Sequence, residues 1–478
     1  MSTNAYQKKI SPVNAWAFSF ACAIGWAAFI MPATTFLPKG GVLGSIVAFL
    51  LGGAAMCLIG MNYHYLGNIY SDRGGIYKLV KASTNRSAAF VAAWGMGLAH
   101  LCCIPLNAKA MAMLVRIFLE EVFQIDFEAI LFHTDTLVVE ALLIIVGLIL
   151  FGMINVKGIK ITAFAQTVGA FLLIGGIAII LVATAATAQN PQAAVTPLNP
   201  PNISFFHSFM SIFLITPWAF VGFESLSKIS QELSFPVKKI GGIMAIAVAC
   251  GVFAYVGNIL ITVLSVPQGF TSWVDYLESL RNLPGVSGYP VAIAAKNSMG
   301  SVGTVIFFIS CISATLTGLV GFFASVSRLI RQMAEDQLLP ASLGKIDERH
   351  GTPVRAIWTV VTIALLLSLL RDSFDFIEEV ASVGTSVGFG ICSFAALLEA
   401  IKSKKRAFIF SGAAGTLLSL FWLFFMFIHT NGIDAALSVK SLYLLLFWIF
   451  LGIADYSYYT RDKNKSEVDI DLDKLRQS

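Results

Sequence analysis

Two stretches decide the fold: GWAAFIMP, Gly25 to Pro32, and TPWAFVGFES, Thr216 to Ser225. Each lies in the middle of an apolar run long enough to cross a bilayer, and each carries glycine and proline, the residues that most weaken a helix interior. Hydrocarbon offers no water to freed N–H and C=O groups, so an interrupted helix survives there only where it is buried in protein or lines a cavity. The freed groups then become ligands. A half-helix N-terminus favours a carboxylate, and bare carbonyls at a half-helix C-terminus favour an ammonium or a metal cation.

The rest of the chain fits that setting. Of its 478 residues 57% are hydrophobic and 12% charged, against about 25% charged in soluble domains. About twelve apolar runs are each able to span a core of about 30 Å. They cover residues 13–37, 42–66, 88–118, 136–154, 161–186, 205–231, 239–266, 301–330, 355–370, 376–400, 407–428 and 439–459. The N-terminal twelve residues lack the pattern of a cleaved leader, so the first run is a retained helix. Residues 1–12 and 460–478 are expected to be cytoplasmic, the second a solvated, disordered tail, with a single transmembrane domain over 13–459. Lys and Arg concentrate on alternate loops, at Lys8, Lys9, Arg73, Lys78, Lys81, Arg86, Lys238, Lys239, Arg328, Arg331, Lys345 and Lys402 to Arg406. That bias predicts both termini inside a multi-pass protein of the cell membrane. The net charge of +5 calls for no nucleic acid.

All seven cysteines fall within the runs, as small apolar core residues, which argues against a metal site and against a disulfide-linked accessory subunit. Residues 267–300 are expected to form a short helical lid on the outer face. The two interrupted runs are the first and the sixth, five apart, so two five-span halves would be inverted relative to each other. Interrupted segments in corresponding places point to a transporter's binding site.

These residues, together with NVKGIK at 155–160 and SRLIRQMAEDQLLPASLGKIDERHGTPVRAI at 327–357, resemble the amino acid, polyamine and organocation (APC) transporter superfamily, and its amino acid permeases in particular. The resemblance implies an all-α membrane protein of about twelve helices, a five-plus-five inverted repeat of the LeuT type with helices 1 and 6 broken at mid-membrane. It implies that a substrate carboxylate meets the N–H groups of Trp26, Ala27 and Ala28 after Gly25, and that its amino group meets carbonyls of Ala23, Trp218 and Val221. The span 6 loop, Trp218, Ala219, Phe220, Val221 and Gly222, completes the substrate site, with Trp218 as a gate. Where the family has small residues, this chain has Trp26 and Ala27. The tryptophan either points into packing or narrows the pocket.

Ionisable side chains at membrane depth are candidates for function. Glu224 follows the span 6 break and is expected either to couple transport to protons or to cap freed N–H groups. Lys109 in span 3 is expected to pair with Glu224, to neutralise a substrate, or to bond helix carbonyls. Ser310, Ser313, Thr315 and Thr317 offer hydroxyls to Na⁺, a weaker case than H⁺. Thr385 and Ser386 are candidate contacts in span 10, and His100 reads as a satisfied core histidine. With no nucleotide loop and no metal-spaced His/Cys cluster, the chain is expected to be no enzyme and to need no cofactor. The expected function is secondary active transport of amino acids or related amines across the plasma membrane by alternating access, by proton symport or exchange. The alternatives are a transporter-like nutrient sensor and a polyamine or amine antiporter.

Overall fold

The structure, a computed structural model, describes residues 10–70, 74–123, 136–280, 283, 288–368, 374–428 and 437–476. The acidic loop at 124–135 and part of the expected lid lie outside them. Nine helices among the described residues are long and apolar enough to cross a membrane, and the bent pair Phe205–Phe213 and Thr216–Glu232, inclined by 44°, makes a tenth. Val354–Ser368 is a shorter apolar helix in the position of span 9.

Span 1 starts where Ser11 accepts a hydrogen bond from the Asn14 N–H and Pro12 occupies the first turn, a position where its missing N–H costs nothing. The helix Pro12–Ala23 ends as Ile24 turns to extended backbone, and helix resumes over Ala27–Met31 and a π-helical turn, Pro32–Phe36. Span 2 follows directly, the two helices meeting at Gly41, where φ is +60°. Spans 3, 4, 5 and 7 are Arg86–Phe123, Thr136–Val156, Ile159–Ala186 and Ile240–Leu264. Span 8 occupies the longer part of Pro290–Glu335, beyond a second turn at Gly300. Spans 10 and 11 are Phe374–Lys402 and Arg406–Phe427.

Span 12 begins a helix that runs from Val439 to Arg476, where a disordered tail was expected from residue 460. An established helix extends without a new nucleation cost, so the polar sequence continues it. Span 12 is fastened to span 3 by two tryptophans. The Trp94 Nε1–H donates to the Trp448 carbonyl at 3.0 Å and the Trp448 Nε1–H to the Trp94 carbonyl at 3.2 Å, the rings stacking at 4.5 Å.

Span 6 is the most irregular element. Phe205–Phe213 gives way to a single turn at Thr216–Ala219. After Gly222, with φ +111°, the chain continues as a 3-10 helix through Phe223–Glu232. Spans 1 and 6 cross at their breaks, for a Cβ on Gly222 would lie 2.8 Å from the Cys22 carbonyl oxygen. The Ser19 hydroxyl also donates to the Phe223 carbonyl at 2.6 Å. Spans 5, 7 and 8 pack around span 1, and span 3 packs against spans 8 and 10. Among the described residues, the segment expected to form a lid includes the helix Trp273–Leu280, held by a hydrogen bond from Trp273 Nε1 to the Pro197 carbonyl at 2.7 Å.

Gly222→Ala should lower the thermal unfolding temperature of the detergent-purified protein. A non-glycine residue at positive φ costs roughly 1–3 kcal/mol, and the clash with the Cys22 backbone adds to it. Gly242→Ala, whose Cβ meets nothing within 4 Å, should leave the unfolding temperature unchanged or raise it.

Candidate functional site

Where the two breaks meet, the chain leaves backbone polar groups without helical partners. The Ile24 N–H still returns to the Phe20 carbonyl at 3.1 Å, and the Ala28 and Phe29 N–H groups turn back to the Gly25 and Trp26 carbonyls at 3.2 and 2.9 Å. Between them, the N–H groups of Gly25 and Ala27 donate to no backbone carbonyl among the described residues. Across the gap, the Val221 N–H takes the Trp218 carbonyl at 3.1 Å, and the Ala219 carbonyl accepts the Tyr255 hydroxyl at 2.7 Å.

A small cavity of about 30 Å³ lies here, room for about one or two water molecules. Ala23, Gly25, Trp26, Ala27, Trp218, Ala219 and Val221 line it, joined by Cys22, Cys103, Leu106, Asn107, Tyr255 and Phe322. Trp26 therefore faces the cavity and narrows it. Ala28, Phe220 and Gly222 stand behind the wall. Phe220 is buried among Phe49 and Tyr255, and Phe223 packs on Phe389. None of the lining side chains is charged. Two polar atoms here have no partner among the described residues, the Asn107 Oδ1 and the Trp218 Nε1–H. The Asn107 oxygen lies 3.2 Å from where a Gly25 Cβ would stand, and its amide nitrogen donates to the Cys103 carbonyl at 2.8 Å.

Behind Gly222 is a cluster of ionisable groups. Glu224, His100 and Lys228 have no exposed side-chain surface. The Gly222 N–H donates to Glu224 Oε2 at 2.9 Å, so the carboxylate caps the break. Its other oxygen lies 2.8 Å from His100 Nε2 and 3.3 Å from Lys228 Nζ, which in turn lies 2.8 Å from His100 Nδ1. The partners the structure gives Glu224 are thus His100 and Lys228. Lys109, nine residues beyond His100 on the same helix and half-buried, is engaged in contacts of its own. Lys228 escaped the sequence reading because span 6 was taken to end at residue 231, where a lysine three residues from the end reads as interfacial. The signal that would have found it is its spacing four residues after Glu224, on one helical face.

Five of the six candidate hydroxyls are occupied locally. Thr315 and Thr317 donate to carbonyls of Ile312 and Ser313, and Ser310 to that of Ile306. Thr385 and Ser386 donate to Ala381 and Ser382 carbonyls. In span 5, the Gln166 amide donates to the Thr317 carbonyl at 2.7 Å. Among the described residues there is no cluster of three or more His, Cys, Asp or Glu able to hold a metal ion.

The two faces of the molecule differ. On the face of the N-terminus, the buried Arg328 Nε meets Glu232 Oε1 at 2.8 Å, tying the end of span 6 to span 8. Ile10 donates to the Glu232 carbonyl at 3.1 Å and accepts from the Ser234 N–H at 2.9 Å. The helix Ile76–Ser83 is joined to the end of span 8 through Asp336, which accepts from Lys81 Nζ at 2.5 Å and from the Tyr77 hydroxyl. Burial opposes ionisation of Asp336, but the hydrogen bonds from Lys81 and Tyr77 and the charges of Lys81 and Arg86 outweigh it and hold its carboxyl below the ordinary range. On the opposite face, a cavity of about 630 Å³ lies between the second half of span 1, at Ala33, Thr34 and Pro38, and the helix Trp273–Leu280.

Comparison with known proteins places this geometry. The branched-chain amino acid permease BcaP of Bacillus subtilis is 22% identical over 452 residues, 92% of this chain and 90% of that one. The Asc-type amino acid transporter 1 of Mus musculus is 24% identical over 387 residues, 79% and 68% of the two chains. Among solved structures, a substrate-bound, outward-open Na⁺-coupled sialic acid symporter matches with a TM-score of 0.56 over 87% of this chain and 89% of that one; at 13% identity it shows the fold, that of a LeuT-type transporter. The family model for amino acid permeases matches residues 10–453, and the chain, a multi-pass membrane protein and no enzyme, belongs to that family.

Proposed function

We propose that this permease carries neutral amino acids across the plasma membrane by alternating access around the two breaks, with both termini in the cytoplasm. The observation that carries this is the cavity at the crossing of spans 1 and 6. It offers the N–H groups of Gly25 and Ala27 and the bare carbonyls at the end of the first half-helix, and no charged side chain lines it. A zwitterion finds both of its charges answered by backbone dipoles there, whereas a charged side chain would enter a low-dielectric pocket whose lining offers no counter-ion. A polyamine would meet no lining carboxylate, which weighs against that alternative. A relative named for branched-chain amino acids agrees with such a substrate.

In this scheme the carboxylate sits on the Gly25 and Ala27 N–H groups, and the ammonium near Asn107 Oδ1, the Ala23 carbonyl and the Val221 carbonyl. Trp26 and Trp218 close around the side chain. The Glu232–Arg328 pair shuts the cytoplasmic path while the outer vestibule stays open.

Purified protein in liposomes, loaded with an unlabelled amino acid and offered labelled ones, should take up neutral amino acids and leave Lys, Arg, Glu and polyamines outside. Absence of uptake or exchange of every neutral amino acid would overturn the proposal. Asn107→Ala should raise KM for the preferred substrate about tenfold with little change in kcat, the cost of a hydrogen bond to a charged group being about 1.5 kcal/mol. Arg328→Gln, in a chain whose only cysteine is Cys22, should increase labelling of that thiol from the cytoplasmic side. Removing one member of a buried pair is also destabilising by about 3–5 kcal/mol, so Glu232→Gln with Arg328→Gln should give the same labelling with better stability.

A further inference from the structure

We propose that Lys228 is a tethered counter-cation that keeps Glu224 ionised through the transport cycle, so that exchange of amino acids by this permease is independent of protons. The inference rests on the transport function proposed above. It is drawn from the geometry of the buried cluster. A lysine ammonium has only donors, so His100 Nδ1, 2.8 Å from Lys228 Nζ, must be the acceptor, and the ring's one hydrogen is then on Nε2, aimed at Glu224 Oε1. Glu224 receives the Gly222 N–H, the His100 N–H and the ammonium together. Every member has a partner within the cluster, and carboxylate, neutral imidazole and ammonium sum to zero charge.

A further proton has no place in this arrangement that does not cost. On His100 Nδ1 it would face the ammonium; on Glu224 it would leave the ammonium buried without its counter-ion. Other titratable groups that feel the charge of Glu224 are Cys22 of span 1, Tyr63 of span 2, Cys103 of span 3 and Cys392 of span 10, and Cys103 also lies within reach of the Glu378 carboxylate of span 10. Thiols and a phenol are neutral near pH 7 and supply no compensating charge. Glu224 and Lys228 also lie on the same half-helix, Phe223–Glu232, so a rigid-body motion of that segment carries both charges together. The pair is neither made nor broken by such a motion.

The test is exchange in proteoliposomes between about pH 5 and pH 8, with a trapped pH dye. The wild-type rate should be flat, and an acid-outside gradient should produce neither net accumulation nor internal acidification linked to substrate. Lys228→Met leaves Glu224 without its counter-ion, so its protonated fraction becomes limiting, and exchange should rise by up to about tenfold per unit of acidification. Glu224→Gln with Lys228→Met restores neutrality and should restore the flat profile, as should Lys228→Arg. Gradient-driven accumulation by the wild type would overturn the inference, as would a flat profile in a Lys228→Met protein that still exchanges. If Lys228→Met does not fold, the wild-type dye measurement decides alone. Exchange without proton movement supports the inference, and exchange with it overturns the inference while leaving the transport function standing. Absence of any exchange overturns both.

Discussion

The Cys22 carbonyl and Gly222 stand so close that a single added carbon would collide, and that contact organises the molecule. A helix interrupted in hydrocarbon must find partners for its bare peptide groups inside the protein. Here two interruptions supply them jointly. Gly222 turns through a backbone region that other residues enter only under strain, which aims its N–H at Glu224 and lets span 1 approach. Ser19 then spans the gap to the Phe223 carbonyl, and the Tyr255 hydroxyl takes the carbonyl of Ala219. The Gly25 and Ala27 N–H groups, which donate to no backbone carbonyl among the described residues, belong to residues that line one small space.

Electrostatics follow the same constraint. Isolated charges are expensive in this environment, and the buried ionic groups around span 6 are grouped so that each carboxylate has a cation: Glu224 with Lys228 across His100, and Glu232 with Arg328. The two pairs differ in what they connect. Glu224 and Lys228 belong to one segment, with a neutral ring on span 3 between them, whereas Glu232 and Arg328 join two spans directly. A relative motion of spans 6 and 8 would separate the second pair, so in the proposed transport scheme it is suited to a gate on the face of the N-terminus.

Much of this was legible in the sequence because it depends on residues with narrow conformational roles. Glycine and proline in mid-span located both breaks, and seven of the expected site residues do line the cavity. The carboxylate beside the second break was also visible, as was its capping alternative. The partners of Glu224 were not, because an ion pair across the bundle depends on helix rotation and depth, which periodicity in an almost uniformly apolar span does not encode. Asn107 and Tyr255 were missed for the same reason, being ordinary polar residues whose meaning comes from facing a cavity. The tail after residue 460 misled in the opposite direction. Its charged composition resembles a solvated coil, yet it follows a helix already formed.

The contracted centre also bears on selectivity. Trp26 and Trp218 line a cavity of only about 30 Å³, which in the proposed scheme has to admit a whole amino acid, while about 630 Å³ stands between Ala33, Thr34 and Pro38 of span 1 and the helix Trp273–Leu280. Enlarging the centre therefore requires movement of at least one indole. Trp218 follows Pro217 in the single turn Thr216–Ala219, after the helix Phe205–Phe213 has ended, and its indole N–H has no protein acceptor to hold it among the described residues. A substrate offering an acceptor to that N–H would stabilise the displaced ring, and one offering only bulk would not. In the proposed scheme, fit to this site would depend on what offsets the motion of the tryptophan more than on the volume seen at rest.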